Sequence, residues 1–206
     1  MDPAGQKPPP DRAGASGRAW FVLLTVLALA LAADLASKWL AFQRVAGQAV
    51  ATNRADVLAA GPENLWTLIP RHEAVVVAPK VLNLTLVYNP GAVFGIGGGQ
   101  RWFFVAFTLV AVAVGLLVFA RGTGRRDHAS HAALALILAG GLGNLYDRLI
   151  YACVRDFLHP LPGVDLPFSL RWPGGSREAW PWVSNLADLW LIIGVGVLIL
   201  LSLRRK

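Results

Sequence analysis

"HAALALILAGGLGNLYDRLIYACVRDF", residues 131–157, begins as a membrane-length apolar run and ends in a cluster of charge. Residues 131–151 are long enough to cross a hydrocarbon core about 30 Å thick. Yet Asn144, Asp147 and Arg148 lie in the second half of that run, and Arg155 and Asp156 follow directly. Three further runs of similar length occupy residues 19–42, 102–120 and 183–203. With 55% hydrophobic residues in 206 and a positive mean hydropathy, the chain is too apolar for a soluble domain. The expected fold is a membrane α-helical one, a bundle of four transmembrane helices. The first run is longer than the core of a cleavable export signal and contains Asp34 and Lys38, so it reads as a true span.

A net charge of +7 raises the question of nucleic acid. The basic residues, however, form no stripe interleaved with aromatics, and no nucleic-acid partner is expected. They gather at the borders of the spans: Lys7, Arg12 and Arg18 before the first, Arg121, Arg125 and Arg126 between the second and third, Arg204, Arg205 and Lys206 at the end. The positive-inside rule then puts both termini in the cytoplasm and the two long connections outside. Residues 1–18, rich in Pro, Gly and Ala, read as a disordered cytoplasmic tail ahead of a membrane domain over residues 19–206. In the first long connection, "KVLNLTLVYN" (residues 80–89) alternates Leu82, Leu84, Leu86 and Tyr88 with Asn83, Thr85 and Val87, the period of a strand. A small sheet on the outer membrane surface would bury one face and wet the other. Residues 44–71 show no strong period. Residues 158–181, with their prolines and glycines and with Trp172 and Trp180, followed directly by Trp182, read as an irregular interfacial segment. The single cysteine, Cys153, excludes an intramolecular disulfide and reads as an apolar filler.

Ionisable groups inside spans are costly and mark sites facing the bundle interior. At 1.5 Å per residue, Asp34 lies ~22 Å from the inner end of its span, Asp147 ~24 Å and Asp188 ~22 Å, so three carboxylates share one level near the outer face. Asn144, Asp147 and Arg148 share a side of one helix, as do Asn185 and Asp188 on another. Asp34 and Lys38, four apart, read as a structural ion pair, Asp147 with Arg148 as a candidate helix-end pair, and Arg155 as a solvated interfacial charge. Gly140, Gly141 and Gly143 leave room for close approach of another helix or of an extended substrate. Asp156 and Asp188 have no basic neighbour at helical spacing to neutralise them.

Ser37 and Lys38 are adjacent and cannot meet on a helix, the histidines show no ligand spacing, and HExxH and GxSxG are absent. What remains is a pair of carboxylates at a water-accessible membrane border. Sharing one proton, such a pair can activate water as base and protonate a carbonyl as acid. An ion-coupled transporter and a metal-dependent lipid enzyme, with Asp34, Asp147, Asp156 and Asp188 as oxygen ligands, are the alternatives. The first would place its polar groups at the midplane and the second would favour short regular spacing on one helix.

Four motifs in order, "DLASK" (34–38), "NPGAVFGIG" (89–97), "GGLGNLYDRL" with "VRDF" (140–149 and 154–157) and "NLAD" (185–188), resemble those of the lipoprotein signal peptidases, also called signal peptidase II. The resemblance covers roughly residues 20–203. It implies an aspartic endopeptidase of the bacterial inner membrane, without cofactor or metal, that removes signal peptides from diacylglyceryl-modified prolipoproteins just before the lipidated cysteine. It also implies that Asp156 and Asp188 are catalytic. Asn89, Gly91, Asn144, Asp147, Arg148, Asn185, Asp34 and Lys38 would line or brace the substrate site, and the strand region would form an extracytoplasmic β-sheet cradle. A monomer surrounded by membrane lipid is expected. Arg155 departs from the family pattern, which has a small aliphatic residue there; Ser184 stands in place of Phe, and Val93 in place of Ala.

Reporter fusions should place both termini and the loop carrying Arg121, Arg125 and Arg126 in the cytoplasm, and residues 45–95 outside. Access to residues 45–95 from the cytoplasm alone would overturn the depth argument.

Overall fold

The computed structural model describes residues 11–91 and 100–204. The expectations attached to Lys7, Val93, Arg205 and Lys206, and to residues 92–97 of the second motif, lie outside them. Four helices are long and apolar enough to cross a membrane, Gly17–Arg44, Arg101–Gly122, His128–Ile150 and Leu186–Arg204. They match the four apolar runs to within three residues at each end. In chain order the elements are α1 (Gly17–Arg44), α2 (Arg54–Ala60), β1 (Val75–Ala78), β2 (Leu82–Asn89), α3 (Arg101–Leu117), α4 (His128–Ile150), β3 (Val154–Pro160) and α5 (Leu186–Arg204). A wider turn, Val118–Gly122, extends α3.

The described end of the tail is folded. Residues 13–15 make a 3-10 turn, Ala13 donates its N–H to the Thr123 carbonyl at 3.0 Å, and the Trp20 indole reaches back to the Gly14 carbonyl at 3.1 Å. Buried Ala13 and the edge-on contact of Trp20 with Phe119 hold this turn against the end of α3. Composition could not register that contact, because its apolar partner lies a hundred residues away. Ser16 caps α1, its hydroxyl accepting from the Ala19 N–H.

The helices divide into lipid-facing and packed surfaces. Phe21, Leu24 and Leu29 of α1, Leu109, Val110 and Val114 of α3, and Ile199, Leu200 and Leu203 of α5 are exposed, as lipid-facing side chains must be. Helix α4 is the central element, buried along most of its length and packed on α1, α3 and α5. Small residues permit this. A Cβ on Gly140 would run into the Ala187 carbonyl of α5, and one on Gly143 into the Asp34 carboxylate of α1. Gly194 of α5 likewise lies against the Ala133 carbonyl of α4. Backbones brought this close replace the hydrophobic drive that lipid does not supply.

The two long connections build a three-stranded antiparallel sheet in the order β1-β2-β3. The alternation read in residues 82–88 is present: Leu86 and Tyr88 are buried and Val87 between them is exposed. Residues 44–71 cover this sheet's inner face. Asn53 caps α2 through the Ala55 N–H, a 3-10 helix spans Pro62–Leu68, and Val57 and Leu65 join Phe42, Leu86, Tyr88 and Phe157 in one core. Segments of seven residues are too short to show a period, which is why the sequence left them blank. Cys153 is buried in the same core, the filler role expected of it.

A bulge in β2 between Leu84 and Val87 leaves the Leu86 N–H without a strand partner; His72 Nε2 accepts it at 3.1 Å while Nδ1 faces the Pro70 carbonyl at 2.8 Å. β3 pairs Asp156 with Val87 and Val154 with Asn89. Ser184 exchanges 2.8 Å backbone hydrogen bonds with Leu158, so residues before α5 run along the edge of β3 instead of beginning the helix at Val183.

Helix packing of this kind predicts a contrast within α5. Gly194→Ala drives a methyl to 2.6 Å from the Ala133 carbonyl, whereas a methyl at Gly196 meets nothing within 4 Å. Gly194→Ala should cost about 1–3 kcal/mol and lower the melting temperature in detergent by several degrees, with Gly196→Ala neutral or slightly stabilising. Equal melting temperatures for the two variants would refute the close α4–α5 contact.

Candidate active site

At the N-terminus of α5, "NLAD" is a capping box. The Asn185 side-chain oxygen accepts the Asp188 N–H at 3.2 Å, and Asp188 Oδ2 accepts the Asn185 N–H at 3.1 Å. The local need to satisfy helix-end N–H groups therefore fixes where the Asp188 carboxylate sits. Its other oxygen, Oδ1, accepts from Asn144 Nδ2 of α4 at 2.9 Å.

Asp156 arrives from β3. Successive strand side chains alternate, so Asp156 turns into the space between sheet and helices while Arg155 turns away. Its Oδ1 accepts from Asn185 Nδ2 at 2.5 Å and its Oδ2 from Asn89 Nδ2 at 3.0 Å. The Asn89 oxygen is engaged by the Gly91 N–H at 2.9 Å, which leaves the amide nitrogen to face Asp156. The second hydrogen of Asn185 Nδ2 goes to Asn144 Oδ1 at 3.1 Å. One asparagine thus touches both carboxylate environments. Burial, reinforced by the neighbouring Asp188 carboxylate, pushes the Asp156 carboxyl up to about 7, with the Asn89 and Asn185 amides pulling the other way.

Beneath these amides lies a buried ion network. Lys38 Nζ is 2.8 Å from Asp34 Oδ2, 3.0 Å from Asn144 Oδ1 and 3.6 Å from Asp147 Oδ2. The Asp34–Lys38 pair expected from the sequence is therefore present, and it does more than neutralise itself. An ammonium only donates, so Asn144 must turn its oxygen to Lys38 and its nitrogen to Asp188. Asp34 also accepts the Ala187 N–H of α5 at 2.9 Å, tying the first turn of that helix to α1.

Two readings of single charges are corrected. Asp147 forms no helix-end pair with Arg148; it is fully buried, and its partner is Arg155, with Nη2 2.8 Å from Oδ1. Arg155 is not a solvated charge but a buried one, its guanidinium 4.2 Å from the Tyr151 ring centre. The sharp turn between α4 and β3, with Ala152 at φ 67°, folds β3 back along the end of α4 and so brings residues 147 and 155 together. Arg148 points the other way, donating from Nη2 to the Gly91 carbonyl at 2.8 Å and from Nη1 to the Asn144 carbonyl at 3.2 Å, over the Phe104 ring. It thereby pins the Asn89–Gly91 turn to α4.

A cleft of about 810 Å³ opens onto both carboxylates. Asn89, Gly91, Asn144, Arg148, Asp156 and Asp188 line its polar end. Asp34, Lys38, Asp147 and Asn185 lie behind that lining and brace it. The rest is apolar, with Phe103, Phe104 and Phe107 of α3, Leu191 and Ile192 of α5, and Trp180 and Trp182 of the β3–α5 connection. Sequence reading missed these aromatic walls; the rings at 103, 104 and 107 were indistinguishable from lipid-facing ones, and the tryptophans read only as interfacial anchors. Among the described residues no three His, Cys, Asp or Glu side chains converge as a metal site would require. Asp34 and Asp147 point to buried cations, and only Asp156 and Asp188 face the cleft together. Two carboxyl groups held by amide donors, one of them pushed toward neutrality, can divide the roles of general acid and general base on one water.

Comparison with known proteins agrees with this chemistry. The family described as Signal peptidase (SPase) II matches residues 26–204. A lipoprotein signal peptidase of Desulfitobacterium hafniense is 35% identical over 131 residues, 64% of this chain and 75% of that protein. One of Halalkalibacterium halodurans is 34% identical over 145 residues, 68% of this chain and 83% of that protein. A bacterial membrane enzyme solved by the in meso method shares the fold with a TM-score of 0.62 at 22% identity, covering 88% of this chain and 87% of its own. With a family match that takes in all four spans and both cleft carboxylates, the chain belongs to the signal peptidase II family, the aspartic lipoprotein signal peptidases of membranes.

Proposed function

We propose that Asp156 and Asp188 are the catalytic dyad, and that the chain cleaves diacylglyceryl-modified prolipoproteins just before the lipidated cysteine. The site would lie near the outer face of a bacterial inner membrane, in a monomer with both termini in the cytoplasm. The observation that carries this reading is the meeting of two carboxylates from β3 and α5 at the polar end of a cleft whose walls are aromatic and aliphatic. A substrate with acyl chains in the outer leaflet holds its scissile bond at the same border, and an apolar cleft running from lipid to the dyad suits such a molecule.

The arrangement also divides the labour. Asp188 sits in the first turn of α5, where the capping N–H and the helix dipole favour its charge. Asp156, pushed up to about 7 by burial, holds the proton. The Asp188 carboxylate takes a proton from water as the water oxygen bonds to the scissile carbonyl carbon. Asp156 gives its proton to the carbonyl oxygen, leaving a neutral tetrahedral diol. Asp156, now ionised, takes a proton from one diol hydroxyl while Asp188 returns its proton to the departing cysteine nitrogen. The C–N bond breaks, the new carboxyl end and the free amine leave, and the dyad is again singly protonated. Asn144 and Asn89 keep both carboxylates aimed through the cycle. Asn185 does the same for Asp156 from the other side.

Asp156→Asn and Asp188→Asn should each lower cleavage of a lipidated prolipoprotein by about 10²–10⁴-fold or more while the protein stays folded in the membrane. The double variant should be no worse, because the pair works as one unit. Activity should follow a bell in pH. Its alkaline limb should fall as pH rises through about 7, where the dyad loses its one proton, and its acid limb should fall where a second proton arrives. EDTA should have no effect; loss of cleavage in chelator with recovery in magnesium would overturn the aspartyl mechanism.

A further inference from the structure

We infer that Arg155 is a positioning residue for the dyad: by occupying Asp147 it leaves the Lys38 ammonium on Asn144, whose amide then faces Asp188. The inference rests on the peptidase reading above and adds to it a residue that touches neither carboxylate of the pair. Arg155 engages both oxygens of Asp147. Its Nη2 lies 2.8 Å from Oδ1, its Nε 3.3 Å from both oxygens, and its backbone N–H donates to Oδ2 at 3.0 Å. Tyr151 and Phe42 stack against the guanidinium and fix its plane.

The consequence appears at Lys38. Its ammonium bonds Asp34 and Asn144 but stops 3.6 Å from Asp147, beyond hydrogen-bond distance. Asp147 is fully buried. Without Arg155 it would be a desolvated carboxylate whose nearest cation is Lys38, and that attraction would draw the ammonium off the Asn144 oxygen. Asn144 would keep the Asn185 Nδ2 donor but lose the ammonium, the stronger of the two donors that fix which end of its amide meets Asp188. Arg155 therefore acts through three links, Asp147, Lys38 and Asn144.

Charge balance gives the inference a second signature. Around the dyad, α1 contributes Asp34 and Lys38, α4 contributes Asp147 and Arg148, and β3 contributes Arg155, so this buried set carries one net positive charge. The other titratable groups packed here are Tyr88 of β2, Tyr146 of α4, and Tyr151 and Cys153 of the α4–β3 turn. Tyr88 and Cys153 are both pushed up to about 12 by burial and stay uncharged over the working range, and burial raises Tyr151 as well. Removing the Arg155 charge takes that net positive charge away and leaves Asp147 without its partner near Asp156 and Asp188, so the dyad should hold its proton to higher pH.

The test is the pH profile of prolipoprotein cleavage by the full chain in lipid. Arg155→Gln should lower kcat several-fold with little change in KM, and move the alkaline limb up by roughly one pH unit, the scale on which a neighbouring charge shifts a carboxyl. Arg155→Lys, which keeps the charge, should leave the limb in place. Asp147→Asn added to Arg155→Gln restores the original net charge without leaving a buried anion, and should return the limb to its original pH even where Arg155→Gln alone is poorly folded. A limb that stays fixed in Arg155→Gln, or that moves equally in Arg155→Lys, would overturn the inference while leaving the dyad intact. Absence of cleavage by the unaltered chain would instead overturn the peptidase reading and this inference with it.

Discussion

The Lys38 ammonium, fully buried among α1, α4 and the start of α5, is the contact around which the rest is organised. A cation placed there must be answered, and three groups answer it: a carboxylate on its own helix, an amide oxygen on α4, and a second carboxylate held just out of bonding range. Burying an ion set adds little net stability, since desolvation offsets most of the attraction, but losing one member costs about 3–5 kcal/mol. The set therefore specifies one arrangement of α1, α4 and α5 more than it strengthens it. Gly143 allows Asp34 that close to α4, and the Ala187 N–H ties Asp34 to α5.

From that arrangement the geometry of the cleft follows in steps. Lys38 orients Asn144, Asn144 orients Asp188, and Asn185 joins Asn144 to Asp156. Each asparagine has its oxygen engaged by a donor, so each presents nitrogen toward a carboxylate. Neutral amides hold the two acids without pairing either with a cation at bonding distance, so the acids can share a proton. A lysine or arginine in the place of Asn144 or Asn89 would stabilise the ionised form and oppose that sharing.

The three-stranded sheet serves the same end. β3 carries Asp156 on one face and Arg155 on the other, so a single strand delivers one residue to the cleft and one to the ion network. The bulge in β2 that His72 fills, and the core of Phe42, Leu86, Tyr88 and Phe157 beneath, keep that strand in register with the helix ends. A slip of one residue would exchange Arg155 and Asp156 between faces and dismantle both.

Residue pattern alone determined the four spans, because lipid demands about twenty apolar residues in a row and nothing else in the chain meets that demand. It also determined the alternation in residues 82–88 and the Asp34–Lys38 pair four apart on one helix, and it drew out Asp156 and Asp188, which the structure brings to one cleft; all of these depend on local spacing. Tertiary structure decided what depends on partners distant in sequence: that Arg155 is buried on Asp147, that Arg148 holds the Gly91 turn, that Lys38 reaches Asn144, and that Phe103, Phe104, Phe107, Trp180 and Trp182 wall the cleft. It also folded residues 44–71 into the support of the sheet and residues 11–16 onto the end of α3. A charged side chain in a sequence carries no mark of whether water or a counter-ion will receive it, and an aromatic ring carries none of whether it faces lipid or substrate. The turn at Ala152 settles the first for Arg155, and the close α4–α5 packing with the loop folded above it settles the second.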